Sequence, residues 1–600
     1  VTMPEVIEVA ERAEPSLDPE PGLVPVHDPT ELAGPGTADR PGSEGDEIGT
    51  AAQRPPAEQR PTGLARSSAV MAVGTVFSRV TGFMRTAVIG AALGTALLGD
   101  AYQAAEMIPY TVYELLLGGM LASVFVPFLV RRRKIDTDGG AATEQRLVTA
   151  VLLALVVFTI VGVLAAPWLI SLYAGGYTGR QRDVTILLTR LLLLQIFFIG
   201  MSGLAGTMLN IRSRFGAPMW APVANNLITM AAALMFLWIA GTGRTAETVT
   251  DAQLTLMGLG SAFGTVIQGV ILAWTLRRAG FRWRPRLDLR GAGFGEAVRT
   301  AGWMMLYVVV VQIGVLVTAN VATRAGDRAA QDAGHQVEGS GLAVYKFALV
   351  VFQLPYAVIA VSVITALLPR MSAHVADGRR DLVRADFSRG LRLASTLLVP
   401  LSLGLLVFGV PGAVLVFAHG STSFDGARRI GILLMVFALM VIPFTFHQLL
   451  MRVFYALGDT RTPGLIAIPA GVVQSVTAFV LLAFVSARQV VVGLPLAYGL
   501  FYVVGGLCAA VVLRRRLGGM DARRILRTLL VLHIAAIPGV VFAAAVVFGF
   551  GHMHEERLSA VLALTIGGLG GGLLYVVFAR FMKIPELGYF FDLARARLRR

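Results

Sequence analysis

Runs of about 20 apolar residues recur from residue 68 to residue 582, separated by short polar stretches. An α-helix of that length crosses a hydrocarbon core of about 30 Å. A membrane barrel would instead alternate apolar and polar residues in strands of about ten. The pattern predicts spans at 68–93, 100–130, 146–173, 184–211, 219–240, 253–276, 297–322, 341–369, 387–417, 429–457, 464–485, 490–513, 525–550 and 558–582. The expected fold class is therefore all-α and polytopic, with about fourteen transmembrane helices.

The loops between these runs carry an alternating bias. Arg131-Arg132-Arg133-Lys134, Arg212 and Arg214, the arginines from Arg277 to Arg290, Arg370 to Arg384, and Arg514 to Arg524 all fall on one side of the predicted bundle. The other side holds scattered arginines such as Arg180, Arg244 and Arg488. Positive charge gathers on cytoplasmic loops, so both termini are expected in the cytoplasm.

An internal echo divides the chain further. Ile108-Pro109-Tyr110 returns as Leu354-Pro355-Tyr356, and Phe125-Val126-Pro127 resembles Leu367-Leu368-Pro369. The connection from Leu209 to Pro218 resembles the one from Phe454 to Pro463. The offset is about 245 residues, or six spans, and an even number of spans preserves direction across the membrane. The halves should therefore be parallel repeats about an axis along the membrane normal. The expected organisation is an acidic tail (1–65), an N-lobe (66–290), a C-lobe (291–516), and a terminal helix pair with a basic end (517–600).

Composition fits this plan. The 600 residues are 55% hydrophobic and 15% charged, with a mean hydropathy of +0.69, whereas a soluble domain carries about 25% charge. The net charge of +15 hides an asymmetry. Residues 1–65 hold thirteen acids against four arginines, which leaves that segment near −9 and the remainder near +24. The acidic tail has no apolar run, resembles no secretory signal and is expected to be disordered. The basic body points to anionic lipid, not to nucleic acid. Cys508 is the single cysteine, which excludes an intrachain disulfide and cysteine-based metal sites.

Ionisable groups at membrane depth cost about 2.5–3.5 kcal/mol each on insertion scales, so they face a cavity or a partner. The first span carries Arg79 and Arg85 beside Thr75, Ser78 and Gly82. They read either as an anion site in a central cavity or as snorkelling side chains. Asp100, Glu106 and Glu114 follow in the second span. Asp100 fits a cavity or the outer interface; Glu106 and Glu114, eight residues apart on nearly one helical face, fit pairing with the arginines or proton uptake. Lys346, alone in the eighth span and followed by Gln353, either faces Arg79 from the other lobe or snorkels outward. Cations on two lobes could hold a diphosphate by charge-assisted hydrogen bonds. Asn210, at the end of the fourth span, is a further cavity candidate.

Pro109, Pro127, Pro355, Pro369 and Pro443 are expected to interrupt helices. The run Gly567-Gly568-Leu569-Gly570-Gly571-Gly572 suits either close helix packing or a groove for a lipid chain. His419, His447, His533, His552 and His554 show no metal-ligand spacing with carboxylates, and no nucleophile triad or phosphate loop occurs. The chain is not read as an enzyme, and no cofactor or metal is expected.

Several stretches resemble the MurJ/MviN family of lipid II flippases. They are Ser78-Arg79-Val80-Thr81-Gly82-Phe83-Met84-Arg85, Asp100-Ala101, Phe125-Val126-Pro127, Leu209-Asn210 through Asn225, and Phe454-Tyr455-Ala456 through Pro463. The resemblance implies a multidrug/oligosaccharidyl-lipid/polysaccharide exporter fold with a lipid-tail groove near the last two helices. It implies an undecaprenyl-diphosphate-linked disaccharide-pentapeptide as substrate, moved outward by alternating access. Arg79 and Arg85 match cavity arginines of the family, and Asp100 matches its second-helix aspartate. The family's second-helix arginine pair falls on Tyr113-Glu114, its Glu-Gly on Gly118-Gly119 and its eighth-helix arginine on Val350, with Lys346 one turn earlier. Arginine-rich usage and the acidic tail resemble actinobacterial members, which often continue into a cytoplasmic kinase-like domain; truncation is compatible with the chain's end. Expected partners are lipid II, membrane lipids and cell-wall synthesis proteins. A multidrug or cation exporter of the same fold and a non-transporting cell-wall scaffold are the alternatives.

Overall fold

The computed structural model describes residues 61–115, 126–288, 294–551, 553 and 556–588. The expected acidic tail up to residue 60, Gly118-Gly119, Phe125, His552, His554 and the basic end from residue 589 lie outside the described residues. The described residues from Ser67 onward form one compact unit.

In chain order the first half comprises α1 (Pro61–Leu93), α2 (Leu97–Tyr113), α3 (Val126–Ile135), α4 (Ala141–Tyr173), α5 (Gly179–Leu193), α6 (Gln195–Ile211), α7 (Gly216–Ala240) and α8 (Asp251–Arg278). The second half comprises α9 (Phe294–Ala333), α10 (Leu342–Pro355), a π-helical turn (Tyr356–Ala360), α11 (Val361–Ala376), α12 (Arg380–Phe417), α13 (Phe424–Ala438), α14 (Val441–Ala456), α15 (Arg461–Phe484) and α16 (Ala487–Arg516). α17 (Ala522–Phe550), α18 (Glu556–Leu562), a second π turn (Ala563–Gly567) and α19 (Gly568–Phe581) close the described chain. Among the described residues twelve helices are long and apolar enough to cross a membrane, or thirteen with the bent pair α13–α14 taken as one span. The second expected span runs through undescribed residues 116–125, between α2 and α3.

The bends follow local chemistry only in part. Pro355 has no N–H to continue the ladder, and the helix passes into the π turn directly after it. The tenth expected span bends by 52° between α13 and α14, just before Pro443. The fourth breaks at Leu194, where neither proline nor glycine stands. Leu194 and Leu439 are 245 residues apart, so the two breaks share the offset of the sequence echo. Contrary to expectation, Pro109 and Pro369 lie inside continuous helices.

One end of the bundle is held by arginine–carboxylate pairs. Buried Glu144 at the start of α4 accepts from Arg133 and Arg212, each at 2.6 Å. Asp459, between α14 and α15, accepts from Arg516 at 2.6 Å and from the backbone N–H of Thr462 at 2.9 Å. Burial pushes the Asp459 carboxyl up, but the Thr462 hydrogen bonds and Arg516 outweigh it and hold the group below the usual range. α17 and α19 pack on each other and on α12. The glycine run mostly serves close packing: a Cβ on Gly539 would overlap the Gly571 carbonyl, and one on Gly570 would overlap the Phe542 ring. Gly568 and Gly572 face open space.

Candidate functional site

α1 sorts its residues by face. At 100° per residue, Thr75, Ser78, Arg79, Gly82 and Arg85 fall within an arc of about 120°. Val73, Val76, Val80 and Met84, all exposed, occupy the other side. α7 holds the helix between these faces. Phe77 packs on the Trp220 ring at 5.6 Å, and Asn226 Nδ2 donates to the Ser78 carbonyl at 3.2 Å and to Thr81 Oγ1 at 3.0 Å.

The polar stripe meets α2 and α10. Arg85 pairs with Glu106 at 3.4 Å, with side chains 21% and 15% exposed. The Tyr110 hydroxyl is within hydrogen-bonding reach of the same guanidinium, while Arg85 Nε is buried without a partner among the described residues. Neighbouring Tyr102 hydrogen-bonds Ser261 at 2.8 Å. Lys346 on α10 is within electrostatic reach of both Glu106 and Arg85. One carboxylate is therefore within electrostatic reach of a cation from each half of the chain. Lys346 also lines a cavity of about 80 Å³ with Thr318, Gln474, Tyr498 and Tyr502.

Depth orders these groups. α1 ends and α10 begins at the same end of the bundle, where Gly90–Leu93 meet residues 418–423. At a rise of 1.5 Å per residue, Lys346 is about 6 Å from that end, Arg85 about 12 Å and Arg79 about 21 Å. Lys346 thus stands nearer the level of Arg85 than that of Arg79, contrary to the expected pairing across the lobes. Arg79 is exposed and, like half-buried Glu114, forms no ion pair among the described residues. The expected arginine–carboxylate pairing involves Glu106 alone. Gln353 is within hydrogen-bonding reach of the Tyr498 hydroxyl. Asn210 is exposed at the end of α6, apart from the others, and its carbonyl accepts from the Ser213 N–H at 3.0 Å.

Asp100 does something the sequence did not reveal. It is 1% exposed, at the end of the bundle away from the arginine-rich loops. Its Oδ1 accepts the Ala343 N–H at 2.7 Å, and the Leu342 N–H is also within reach. The N-cap of α10 is Gly341, which has no side chain, so Asp100 caps the helix from the other half of the chain. A Cβ on Gly341 would overlap this carboxylate, and one on Gly326 would lie 2.9 Å from it.

More bonds surround this cap. Gly339 N donates to Thr95 O at 3.0 Å and Ser421 N to Ala91 O at 2.7 Å. The Thr422 hydroxyl donates to Gly90 O at 2.8 Å, and the Thr95 hydroxyl to Glu338 at 3.2 Å. Asn320 Nδ2 donates to Leu172 O at 2.7 Å. Together they form a latch between the halves at the end opposite the arginine–carboxylate pairs.

Sequence reading also passed over Arg452. Its guanidinium is within hydrogen-bonding reach of the Tyr356 hydroxyl and 5.8 Å from the Tyr455 ring. A lone charge inside the tenth apolar run was the available signal. Among the described residues no three His, Cys, Asp or Glu side chains could hold a metal ion.

The chain matches the family described as "Lipid II flippase MurJ" over residues 89–580. It is 26% identical over 456 residues to the lipid II flippase MurJ of Burkholderia cenocepacia, covering 74% of this chain and 82% of that protein. It is 26% identical over 546 residues to the probable lipid II flippase MurJ of Rhizobium meliloti, covering 86% and 93%. A solved lipid II flippase MurJ in an inward closed conformation shares the fold, with a TM-score of 0.67 at 18% identity, over 88% of this chain and 100% of that one. An inward-facing multidrug resistance MATE transporter of the MOP superfamily has a TM-score of 0.56 at 14% identity, over 74% and 96%.

Proposed function

The chain belongs to the lipid II flippase MurJ family, and we propose that Arg79, Arg85 and Lys346 hold the diphosphate of its substrate while the two lobes open alternately. The protein is a multi-pass membrane lipid II flippase. In this reading it carries undecaprenyl-diphosphate-linked peptidoglycan precursor to the outer leaflet, with the polyprenyl tail left in lipid. The drug-exporter alternative shares only the fold, and no described residue favours a scaffold.

One observation carries the proposal: Glu106 pairs with Arg85 and lies within electrostatic reach of Lys346 from the other half of the chain, beneath the hydrogen-bonded latch. Glu106 then occupies the place of a substrate anion. A diphosphate carries more charge and more acceptor oxygens than one carboxylate, so it competes for the same donors. Arg79, about 9 Å further along α1, meets the headgroup first as it enters from the arginine-rich end, which is read as cytoplasmic. The latch closes the outer side and must part for release.

The test is depletion of the protein with an assay of lipid II accessible at the cell surface, followed by complementation. Depletion should remove surface lipid II, wild type should restore it, and Arg79→Ala, Arg85→Ala and Lys346→Ala should each fall short at equal membrane abundance. Unchanged lipid II exposure on depletion would refute the flippase reading. Full rescue by all three variants would refute the anion site.

A further inference from the structure

A cleft of about 770 Å³ opens on the first half of the chain, between α4, α6, α8 and the segment 281–288. It lies on a different part of the chain from α17–α19, where the family resemblance places the lipid-tail groove, and it does not rest on the proposed flippase site. Leu152, Val156, Phe197 and Met208 supply apolar wall, and Arg277 and Arg282 stand in its lining. The cleft runs inward from the arginine-rich end: Val148 and Val156 are about 10 and 22 Å along α4 from its first residue.

The segment 281–288 is fastened to α4 along one side of the cleft. Gln145 Nε2 donates to the Arg282 carbonyl at 2.7 Å, and its Oε1 accepts the Arg284 N–H at 2.7 Å. The Trp283 indole donates to the Thr149 hydroxyl at 3.2 Å, and Arg146 pairs with Asp288 at 2.5 Å. The wall is therefore tied down, and the volume falls in the range of small-molecule sites, about 300–1,000 Å³. Arg277 and Arg282 are exposed and form no ion pair among the described residues. Arg278 is spent on the Trp274 ring, 3.8 Å away, and Arg146 on Asp288.

We propose that this cleft is a binding site for an anionic glycerophospholipid of the surrounding leaflet, with one acyl chain between α4 and α6 and the phosphate at Arg277 and Arg282. Charge complementarity selects this occupant. An apolar slot at membrane depth takes a chain, and two guanidinium groups without carboxylate partners at its mouth take an anionic headgroup. A zwitterionic lipid satisfies the walls and leaves its own cation against the arginines.

The test uses the purified full chain, delipidated in detergent and titrated with phosphatidylglycerol or phosphatidylcholine, with bound lipid counted by native mass spectrometry. Wild type should retain phosphatidylglycerol in preference to phosphatidylcholine. The R277A/R282A double variant should lose that preference about tenfold, the order expected when two cations facing an anionic headgroup are removed. R277K/R282K should keep most of it, and Ala273→Phe, which fills the slot, should lower retention of both lipids. A monodisperse R277A/R282A protein with an unchanged preference overturns the proposal, as does wild type that binds both lipids equally. If R277A/R282A does not purify as a folded protein, R277K/R282K and Ala273→Phe decide: retention unchanged by the filled slot overturns it equally.

Discussion

Two of the arginine–glutamate pairs in this bundle, Arg85–Glu106 and Arg392–Glu586, have contrasting surroundings. Arg85 and Glu106 meet at 3.4 Å, partly exposed, with a guanidinium nitrogen unused and a second cation in reach. Arg392 and Glu586 meet in close contact with side chains 10% and 7% exposed, and Arg392 Nε also donates to the Ser388 carbonyl at 3.2 Å. Around the second pair sits an apolar cluster that includes Val399, Leu532, Ala535 and Tyr575, and the Tyr575 hydroxyl donates to the Thr396 carbonyl at 2.7 Å. On the proposed reading, the same two residue types do two jobs. A pair that must exchange its carboxylate for a substrate anion needs slack, spare donors and an approach. A pair that fastens the chain beyond α19 to α12 needs none of these.

Removing one partner separates the jobs most sharply. Arg392→Ala leaves Glu586 buried and unpaired, and should cost about 3–5 kcal/mol of stability, read as a large fall in the thermal midpoint. Replacing both, as Arg392→Met with Glu586→Leu, should recover most of that loss, because apolar residues of similar volume substitute well for a buried pair. Arg85→Ala should show the reverse pattern, with a small shift in midpoint and loss of lipid II flipping. A midpoint for Arg85→Ala as low as that of Arg392→Ala would make both pairs structural.

The latch gives the next effect in size. Asp100→Ala removes the cap of α10 and should cost about 0.5–2 kcal/mol. Its hydrogen-exchange signature should be concentrated at residues 338–343, not spread through the fold. Gly341→Ala should loosen the same contact by overlap with the carboxylate, and protection at 338–343 equal to wild type would contradict the latch.

How far the sequence anticipated this molecule follows the same division. Apolar run length placed most of the helices, because crossing a bilayer imposes one length on every span. The breaks of the fourth and tenth expected spans at Leu194 and Leu439 were not read from the sequence, since no proline marks the first; only in the structure do they fall on the 245-residue offset of the echo. Charge at membrane depth flagged Arg79, Arg85 and Glu106, and helical spacing leaned the two arginines toward neighbouring faces. What sequence could not supply was contact across the halves. Asp100 as a cap for a helix that starts 242 residues later, and Glu586 returning to Arg392, depend on tertiary closeness that no local pattern encodes. Lys346 was identified by its isolation, but its level beside Arg85 needed the fold.

The smallest effect expected is a pH dependence. Asp459 is held below the usual carboxylate range by Thr462 and Arg516 against the opposing effect of burial. Its unfolded form titrates near 3.9, so its contribution is complete above that value and is lost as pH falls through the lower folded value. The midpoint should therefore fall as pH drops below about 4, and Asp459→Asn should flatten that slope. An identical slope in the variant would remove Asp459 as its source.

The contrast between the slack pair and the tight pair is tested most directly by the affinity of the purified full chain for lipid II. Arg85→Ala should bind at least about tenfold more weakly, since a charge-assisted contact contributes about 1.5–3 kcal/mol. The Arg392→Met, Glu586→Leu double variant should bind as wild type does. Wild-type affinity in a folded Arg85→Ala protein would contradict the account.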